Sequence, residues 1–164
     1  MNKKNAQKQT RRTSDNLCKF LAEKYPDQIV EWLFGIKNKH LKILKTEMQR
    51  ESIRADSAIL FEAENTILHV EFQTIIKSVP PMPLRMLDYY IGFKRKFPDK
   101  KIKQVLVVLK NTGENVPARY EEERWFFVYD VVKMWEQSPR TLMKHKGLLS
   151  LASLCRTRSD GEKL

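Results

Sequence analysis

Cysteine, glycine and long apolar runs are all scarce in this chain of 164 residues. It has 2 cysteines and 5 glycines, which argues against a disulfide scaffold and a collagen-like chain. No CxxC pair or cysteine–histidine cluster occurs, which argues against a zinc site. The longest strongly apolar run, Val105–Leu109, is far shorter than the ~20 residues of a membrane-spanning helix. The N-terminus lacks the apolar segment of a secretory signal, so we expect a cytoplasmic protein with free thiols and no membrane contact.

Acidic residues are outnumbered by basic ones. The chain has 31 Lys and Arg against 20 Asp and Glu, which gives a net charge of +11. This balance favours a polyanionic partner, above all nucleic acid, because phosphate contacts supply most non-specific affinity. A basic surface that only keeps the protein soluble is the alternative, and net charge does not separate DNA from RNA.

The length corresponds to a single domain. Residues 1–13 contain five basic residues, no acidic residue and almost nothing apolar, so we predict a disordered basic arm there. The folded domain is predicted to span residues 14–155. Residues 156–164 are predicted to form a disordered tail.

The apolar periodicity changes along the chain and predicts an α/β fold with helices flanking one mixed sheet. The predicted helices cover residues 15–25, with Leu17, Phe20, Leu21 and Tyr25 on the buried face, and residues 27–34, ended by Gly35. The other predicted elements are a strand within 41–48, a hairpin of strands 57–61 and 66–72, a helix from Pro83 to Phe97, strands over 103–109 and 124–135, and short helices after residue 138.

The predicted hairpin carries the residues that favour metal chemistry. If its turn centres on Ala63 and Glu64, Asp56 lies opposite Glu71, and opposed Cβ atoms are about 5 Å apart. Glu71 and Gln73 are two residues apart and share one face of their strand. Carboxylate and carbonyl oxygens suit Mg²⁺ or Mn²⁺, which activates water and neutralises charge on a phosphodiester. Solvated strand acids without a metal are the alternative.

Three segments taken together resemble the Rpn-type family. They are residues 54–60 (RADSAIL), 67–74 (ILHVEFQT) and 82–89 (MPLRMLDY), and the resemblance extends to 15–23 (DNLCKFLAE) and 134–136 (MWE). The members of this family are recombination-promoting nucleases, often labelled as transposases, within the PD-(D/E)xK nuclease superfamily. The resemblance covers most of residues 15–155. It implies a restriction-endonuclease-like core, with the order helix, three strands, helix, strand, and Mg²⁺-dependent cleavage of DNA.

The resemblance also implies a role for each matching residue. Asp56 corresponds to the motif aspartate, and Glu71 and the carbonyl of Phe72 correspond to the other metal ligands. Gln73 stands where the superfamily has a lysine, and an amide can hydrogen-bond but supplies no positive charge. A further acid from the first helix or the first strand is common in the superfamily, and the candidates here are Asp15, Glu23 and Glu47.

Several cations are candidates for nucleic-acid contacts. Arg85 opens the helix after the hairpin, where it contacts phosphate, replaces the charge of the missing lysine, or forms an ordinary ion pair. A basic cluster near the end of that helix is predicted to follow a nucleic-acid backbone, although cations are also simply favourable at a helix C-terminus. The cluster comprises Lys94, Arg95, Lys96, Lys100, Lys101 and Lys103, and we assign nucleic-acid contacts to the first three of these.

A histidine and several aromatic side chains are predicted to pack in the interior or at an interface. His69 shares the face of Glu71, and packing beside the sheet is favoured for it over a role at the metal. Of Tyr89 and Tyr90, one is predicted to be in the core. The aromatic run Trp125–Phe127 is predicted to be core or an oligomer interface.

Three functions remain open from the sequence. The first is a nuclease, which can act as a homodimer because two-fold symmetric nucleases often dimerise to cut both strands. The second is a catalytically degenerate nuclease fold that only binds DNA. The third is an accessory protein that uses its aromatic C-terminal segment as an interface.

Overall fold

The structure of the chain, a computed structural model, describes residues 14, 16–37, 40–44 and 58–156. The helices are α1 (16–24), α2 (Pro26–Phe34), α3 (Met82–Lys96) and α4 (Pro139–Met143), with 3₁₀ segments at Met134–Glu136 and Lys146–Leu154. The strands are β1 (Lys42–Leu44), β2 (Ala58–Ala63), β3 (Thr66–Gln73), β4 (Lys101–Val108), β5 (Arg119–Glu122), β6 (Trp125–Val128) and β7 (Asp130–Lys133). Within these ranges, no helix combines the length and the apolar character that spanning a membrane requires.

Five strands form one mixed sheet in the order β1-β2-β3-β4-β7. The first three strands pair antiparallel, whereas β3, β4 and β7 pair parallel. The parallel pairing of β3 with β4 requires a crossover, which α3 provides. Helices flank this mixed sheet, which confirms the predicted α/β class.

The two faces of the sheet are covered by different helices. The alternate side chains Leu68, Val70 and Phe72 of β3 pack with buried residues of α1, α2, α4 and the segment Lys146–Leu154. The opposite face, which includes Ile67, packs against Met86, Tyr89 and Phe93 of α3. Because consecutive strand residues point to opposite faces, every second residue of β3 lies beneath α3.

The buried face of α1 differs from the predicted one. Cys18, Leu21 and Ala22 are buried, whereas Leu17 and Phe20 are about half exposed. The buried positions follow the spacing i, i+3, i+4 that one face of a helix requires. The prediction was therefore wrong for Leu17 and Phe20, which flank this face, whereas Leu21 is buried and Tyr25 packs against the core as predicted. The predicted second helix and its end at Gly35 are confirmed, since Gly35 takes a left-handed φ of 67°.

The predicted strand over residues 124–135 is wrong in extent. The chain there forms β6, then β7, then a 3₁₀ turn, and β6 pairs with β5 as a separate two-stranded sheet. Between β6 and β7 the amide of Tyr129 donates to the carbonyl of Ala118, and β7 then pairs with β4 in the main sheet. Trp125 and Phe126 project from the separate hairpin and are 48% and 66% exposed, so they are not core residues.

Candidate functional site

The hairpin β2–β3 forms as predicted, but its register differs by two residues. Ala58, not Asp56, is the Cα partner of Glu71. The turn lies at Glu64 and Asn65, with a positive φ of 52° at Glu64, one position later than predicted. Moving the centre of a turn by one residue shifts every cross-strand pair by two. The predicted pairing of Asp56 with Glu71 was therefore wrong.

Several predictions fall outside the described residues. Asp56, Asp15 and Glu47 lie there, as do the predicted arm of residues 1–13 and most of the predicted tail. Glu23 lies in α1, is exposed, and belongs to a helix on the face of the sheet that Phe72 occupies. Because the Glu71 side chain points to the opposite face, the structure does not bring Glu23 and Glu71 together.

The side chains of His69, Glu71 and Gln73 lie in the layer between the sheet and α3. His69 and Glu71 are fully buried and Gln73 is 9% exposed. A carboxylate in such a place needs a compensating charge and hydrogen-bond donors, because the transfer of an isolated charge out of water is strongly unfavourable. The contacts of Glu71 supply both.

One oxygen of Glu71 accepts two hydrogen bonds. The Arg85 guanidinium donates from Nη2 to Oε1 at 2.9 Å, and the Gln73 amide donates from Nε2 to the same oxygen at 2.8 Å. Arg85 is in the first turn of α3 and its side chain is 15% exposed. The sequence left three roles open for this arginine, and the structure places its charge directly on Glu71.

The environment of Arg85 keeps the guanidinium charged. Burial alone would lower the pKa of Arg85, but the attraction of the Glu71 carboxylate, together with Tyr89 and the hydrogen bonds to both groups, outweighs it and raises the pKa. Arg85 also donates to the Tyr89 hydroxyl at 3.3 Å. The pair of Arg85 with Glu71 is therefore a charged one between the sheet and α3.

His69 packs in the interior as predicted. Its ring makes edge contacts with the rings of Tyr89 and Phe93, at centroid distances of 4.9 and 5.0 Å. Tyr89 is fully buried, which confirms that one of the two adjacent tyrosines is in the core. The His69 Nε2 atom is 3.9 Å from Oε2 of Glu71, so the ring also borders the carboxylate.

Gln104 belongs to this cluster and was missed from the sequence. It is 5% exposed on β4, where it pairs in register with His69, and its amide nitrogen lies 3.0 Å from His69 Nδ1. The same nitrogen donates to the carbonyl of Met86 at 3.0 Å. A signal was present, because Gln104 is a polar residue directly before the apolar run Val105–Leu109 of a buried strand.

Two groups at the end of β3 can supply oxygen ligands to a divalent cation. The Gln73 carbonyl accepts a hydrogen bond from Leu109 at 2.9 Å, on the β4 side of the strand. Because successive carbonyls point in opposite directions, the carbonyl of Phe72 points toward β2. The Glu71 carboxylate and the Phe72 carbonyl are hard donors that suit Mg²⁺. Among the described residues no three His, Cys, Asp or Glu side chains form a metal-binding group, so further protein ligands would come from elsewhere in the chain.

The predicted nucleic-acid contacts divide between the two ends of α3. Arg85 lies near the start, whereas Lys94, Arg95 and Lys96 lie in the last turn. At 1.5 Å per residue, Arg85 and Arg95 are separated by about 15 Å along the axis. The structure therefore does not combine Arg85 with the basic cluster.

The three cations of the cluster to which nucleic-acid contacts are assigned also differ from one another. Lys94 donates to the carbonyls of Pro98 and Lys100, each at 2.9 Å, and so holds the loop between α3 and β4. Arg95 and Lys96 are exposed. Only these two of the three present their charges to solvent.

Comparison of the chain with protein-family models, with curated proteins and with solved structures finds no match.

Proposed function

We propose that this chain is a Mg²⁺-dependent DNA endonuclease of the Rpn type, with a restriction-endonuclease-like core and a role in recombination or transposition. The observation that carries the proposal is the cluster at the end of β3, where Glu71 and Gln73 lie side by side and Arg85 places a positive charge on Glu71. The order of α2, the three strands β1–β3, α3 and β4 is compatible with the core that the resemblance implies. The net charge of +11 favours a nucleic-acid substrate.

In this proposal Asp56, Glu71 and the Phe72 carbonyl hold the cation. When bound, Mg²⁺ or Mn²⁺ would lower the pKa of a water molecule and neutralise charge on the phosphodiester. The amide of Gln73 donates to Glu71 through Nε2, which turns its Oε1 away from the carboxylate, where it can accept a hydrogen bond from the attacking water. Arg85 supplies the positive charge that a lysine at position 73 would otherwise bring.

The first test is the nicking of supercoiled plasmid by the purified protein in Mg²⁺ and in Mn²⁺. We expect cutting that EDTA abolishes and that Asp56→Ala eliminates, with the fold and the DNA affinity of the variant retained. A matched control is Glu123→Ala, which removes an exposed acid in the turn between β5 and β6 and should cut like the unaltered protein. If Asp56→Ala unfolds the protein, Asp56 has a structural role instead.

A degenerate nuclease fold that binds DNA without cutting it is the second candidate. It is favoured by the complete burial of Glu71 and by the two donors that already occupy its Oε1. This candidate predicts DNA binding at low salt with no cutting in any metal. The plasmid experiment therefore decides between the two functions.

Both candidates predict that the exposed cations at the end of α3 contact phosphate. Replacing Arg95 and Lys96 together by glutamine should weaken DNA binding at every sequence tested. The slope of log K against log salt should fall by about 0.9 for each lost phosphate contact. Fluorescence anisotropy with a labelled duplex over a range of salt concentrations measures this slope. Replacing the exposed Lys144 and Lys146 by glutamine is the matched control, and an equal change there would contradict a defined contact surface.

A further inference from the structure

The orientation of the Gln104 amide is fixed by its neighbours. Its nitrogen lies 3.0 Å from the carbonyl of Met86, and a carbonyl can only accept, so an N–H must face it. The same nitrogen lies 3.0 Å from Nδ1 of His69, which takes the second N–H. The amide oxygen is buried and has no hydrogen-bond partner among the described residues. The site thus leaves one buried acceptor unsatisfied in order to keep both N–H bonds.

This orientation determines the tautomer of His69. Because Nδ1 accepts a hydrogen bond from Gln104, it carries a lone pair, and the proton of the neutral ring is on Nε2. Nε2 faces Oε2 of Glu71 at 3.9 Å. That separation is longer than a hydrogen bond, so the interaction is an attraction between the N–H dipole and the carboxylate.

The other tautomer is disfavoured at both ring nitrogens. It would direct the Nδ1 proton against an N–H of Gln104 and the Nε2 lone pair against the Glu71 carboxylate. Turning the Gln104 amide over would relieve the first contact. It would also place the amide oxygen against the Met86 carbonyl, so that two acceptors faced each other.

We propose that His69 is a positioning residue for Glu71, held by Gln104 in the tautomer that presents Nε2–H to the carboxylate. Arg85 and Gln73 hold Oε1, and His69 faces Oε2, so both oxygens of Glu71 have an oriented donor beside them. Two hydrogen bonds at Oε1 and an N–H dipole facing Oε2 together orient the carboxylate, as a ligand or a reacting group requires. The consequence for catalysis rests on the proposed nuclease function, whereas the tautomer and the contact do not.

The direct test is long-range ¹H–¹⁵N NMR of the imidazole rings in the full-length protein. We expect the Nδ1 of His69 to resonate as an unprotonated nitrogen and its Nε2 as a protonated one, with the partly exposed His145 as internal reference. Glu71→Gln should shift the Nε2 resonance more than the Nδ1 resonance. Gln104→Met should produce a mixture of the two tautomers. A proton on Nδ1 in the unaltered protein, or an Nε2 resonance indifferent to Glu71→Gln, would overturn the proposal.

Two substitutions at position 69 relate the contact to cleavage. Glutamine can place an N–H near the position of Nε2, whereas asparagine is too short to do so. We expect His69→Asn to lower kcat by about ten- to a hundredfold with little change in KM, and His69→Gln to retain more of it. Equal decreases in kcat in the two variants would overturn the proposal that His69 positions Glu71 for cleavage. If the unaltered protein does not cleave DNA, the nuclease function fails, and the NMR result still decides the tautomer and the contact.

Discussion

Replacing Glu71 by glutamine should lower the free energy of unfolding by about 3–5 kcal/mol, because it removes one partner of a buried ion pair. The Arg85 guanidinium would remain between the sheet and α3 with its counter-ion gone, and it is only 15% exposed to water. Glutamine has nearly the shape of glutamate, so the decrease in the free energy of unfolding reports the removal of the charge and not a change in side-chain volume. Urea unfolding followed by circular dichroism measures the change, and the m value should stay constant.

Two further variants test whether this loss comes from the pair. Glu71→Gln combined with Arg85→Met removes both charges and should recover much of the stability, because no unpaired charge is then buried. Glu136→Gln breaks the exposed pair with Lys133 and should change stability by no more than about 1 kcal/mol. If Glu71→Gln were as mild as Glu136→Gln, water would have to reach Arg85 in solution, contrary to its burial in the structure.

A large loss would bear on function as well as on stability. A sheet that buried an apolar residue at position 71 would need no guanidinium from α3 and no polar residue at position 104. The chain instead places Glu71, His69 and Gln104 in the layer where Ile67 and Met86 show ordinary apolar packing. Polar residues that conflict with the simplest core are expected at functional sites.

The sequence predicts the elements around this cluster because their signals are local. Pro83 favours the first turn of a helix, and it lies in the first turn of α3, which begins at Met82. The two β-prone runs on either side of the turn form β2 and β3. The register of the hairpin is not predicted by such local signals, because it depends on which two residues form the turn. Glu64 is one of them and has a positive φ, which is uncommon for glutamate and is not predicted from its residue type.

Contacts between distant segments were the other part that the sequence did not provide. Gln104 meets His69 because β4 pairs parallel to β3 after a crossover, and no local pattern determines that register. The exposure of Trp125 and Phe126 has a similar cause. A run of aromatic and β-branched residues predicts a strand, but burial depends on whether another layer covers it. Here the strand β6 pairs with β5 outside the main sheet.

Removal of the positive charge that Arg85 places next to Glu71 is the substitution with the second large expected effect. Under the proposed nuclease function, Arg85→Gln should lower the single-turnover rate of DNA cleavage by about 10²–10³-fold, the range found when one preorganised charge-stabilising donor is removed. Arg85→Lys keeps a charge but loses the planar guanidinium, so its cleavage rate should lie between that of the unaltered protein and that of Arg85→Gln. Rates are normalised to the folded fraction, because Arg85→Gln also leaves Glu71 buried without a counter-ion.

Gln73→Lys distinguishes a working site from a degenerate one. In a working site, lysine at position 73 places a second cation beside the Glu71 oxygen that Arg85 already contacts, so the rate should stay the same or fall. Combined with Arg85→Gln, the same lysine returns one cation to Glu71 and should restore part of the lost rate and of the lost stability. A degenerate site behaves differently, since Gln73→Lys alone would then create cleavage where none existed. Restoration of the rate in the double variant, without a gain in the single one, would show that Arg85 on α3 does the work that a lysine at position 73 can do.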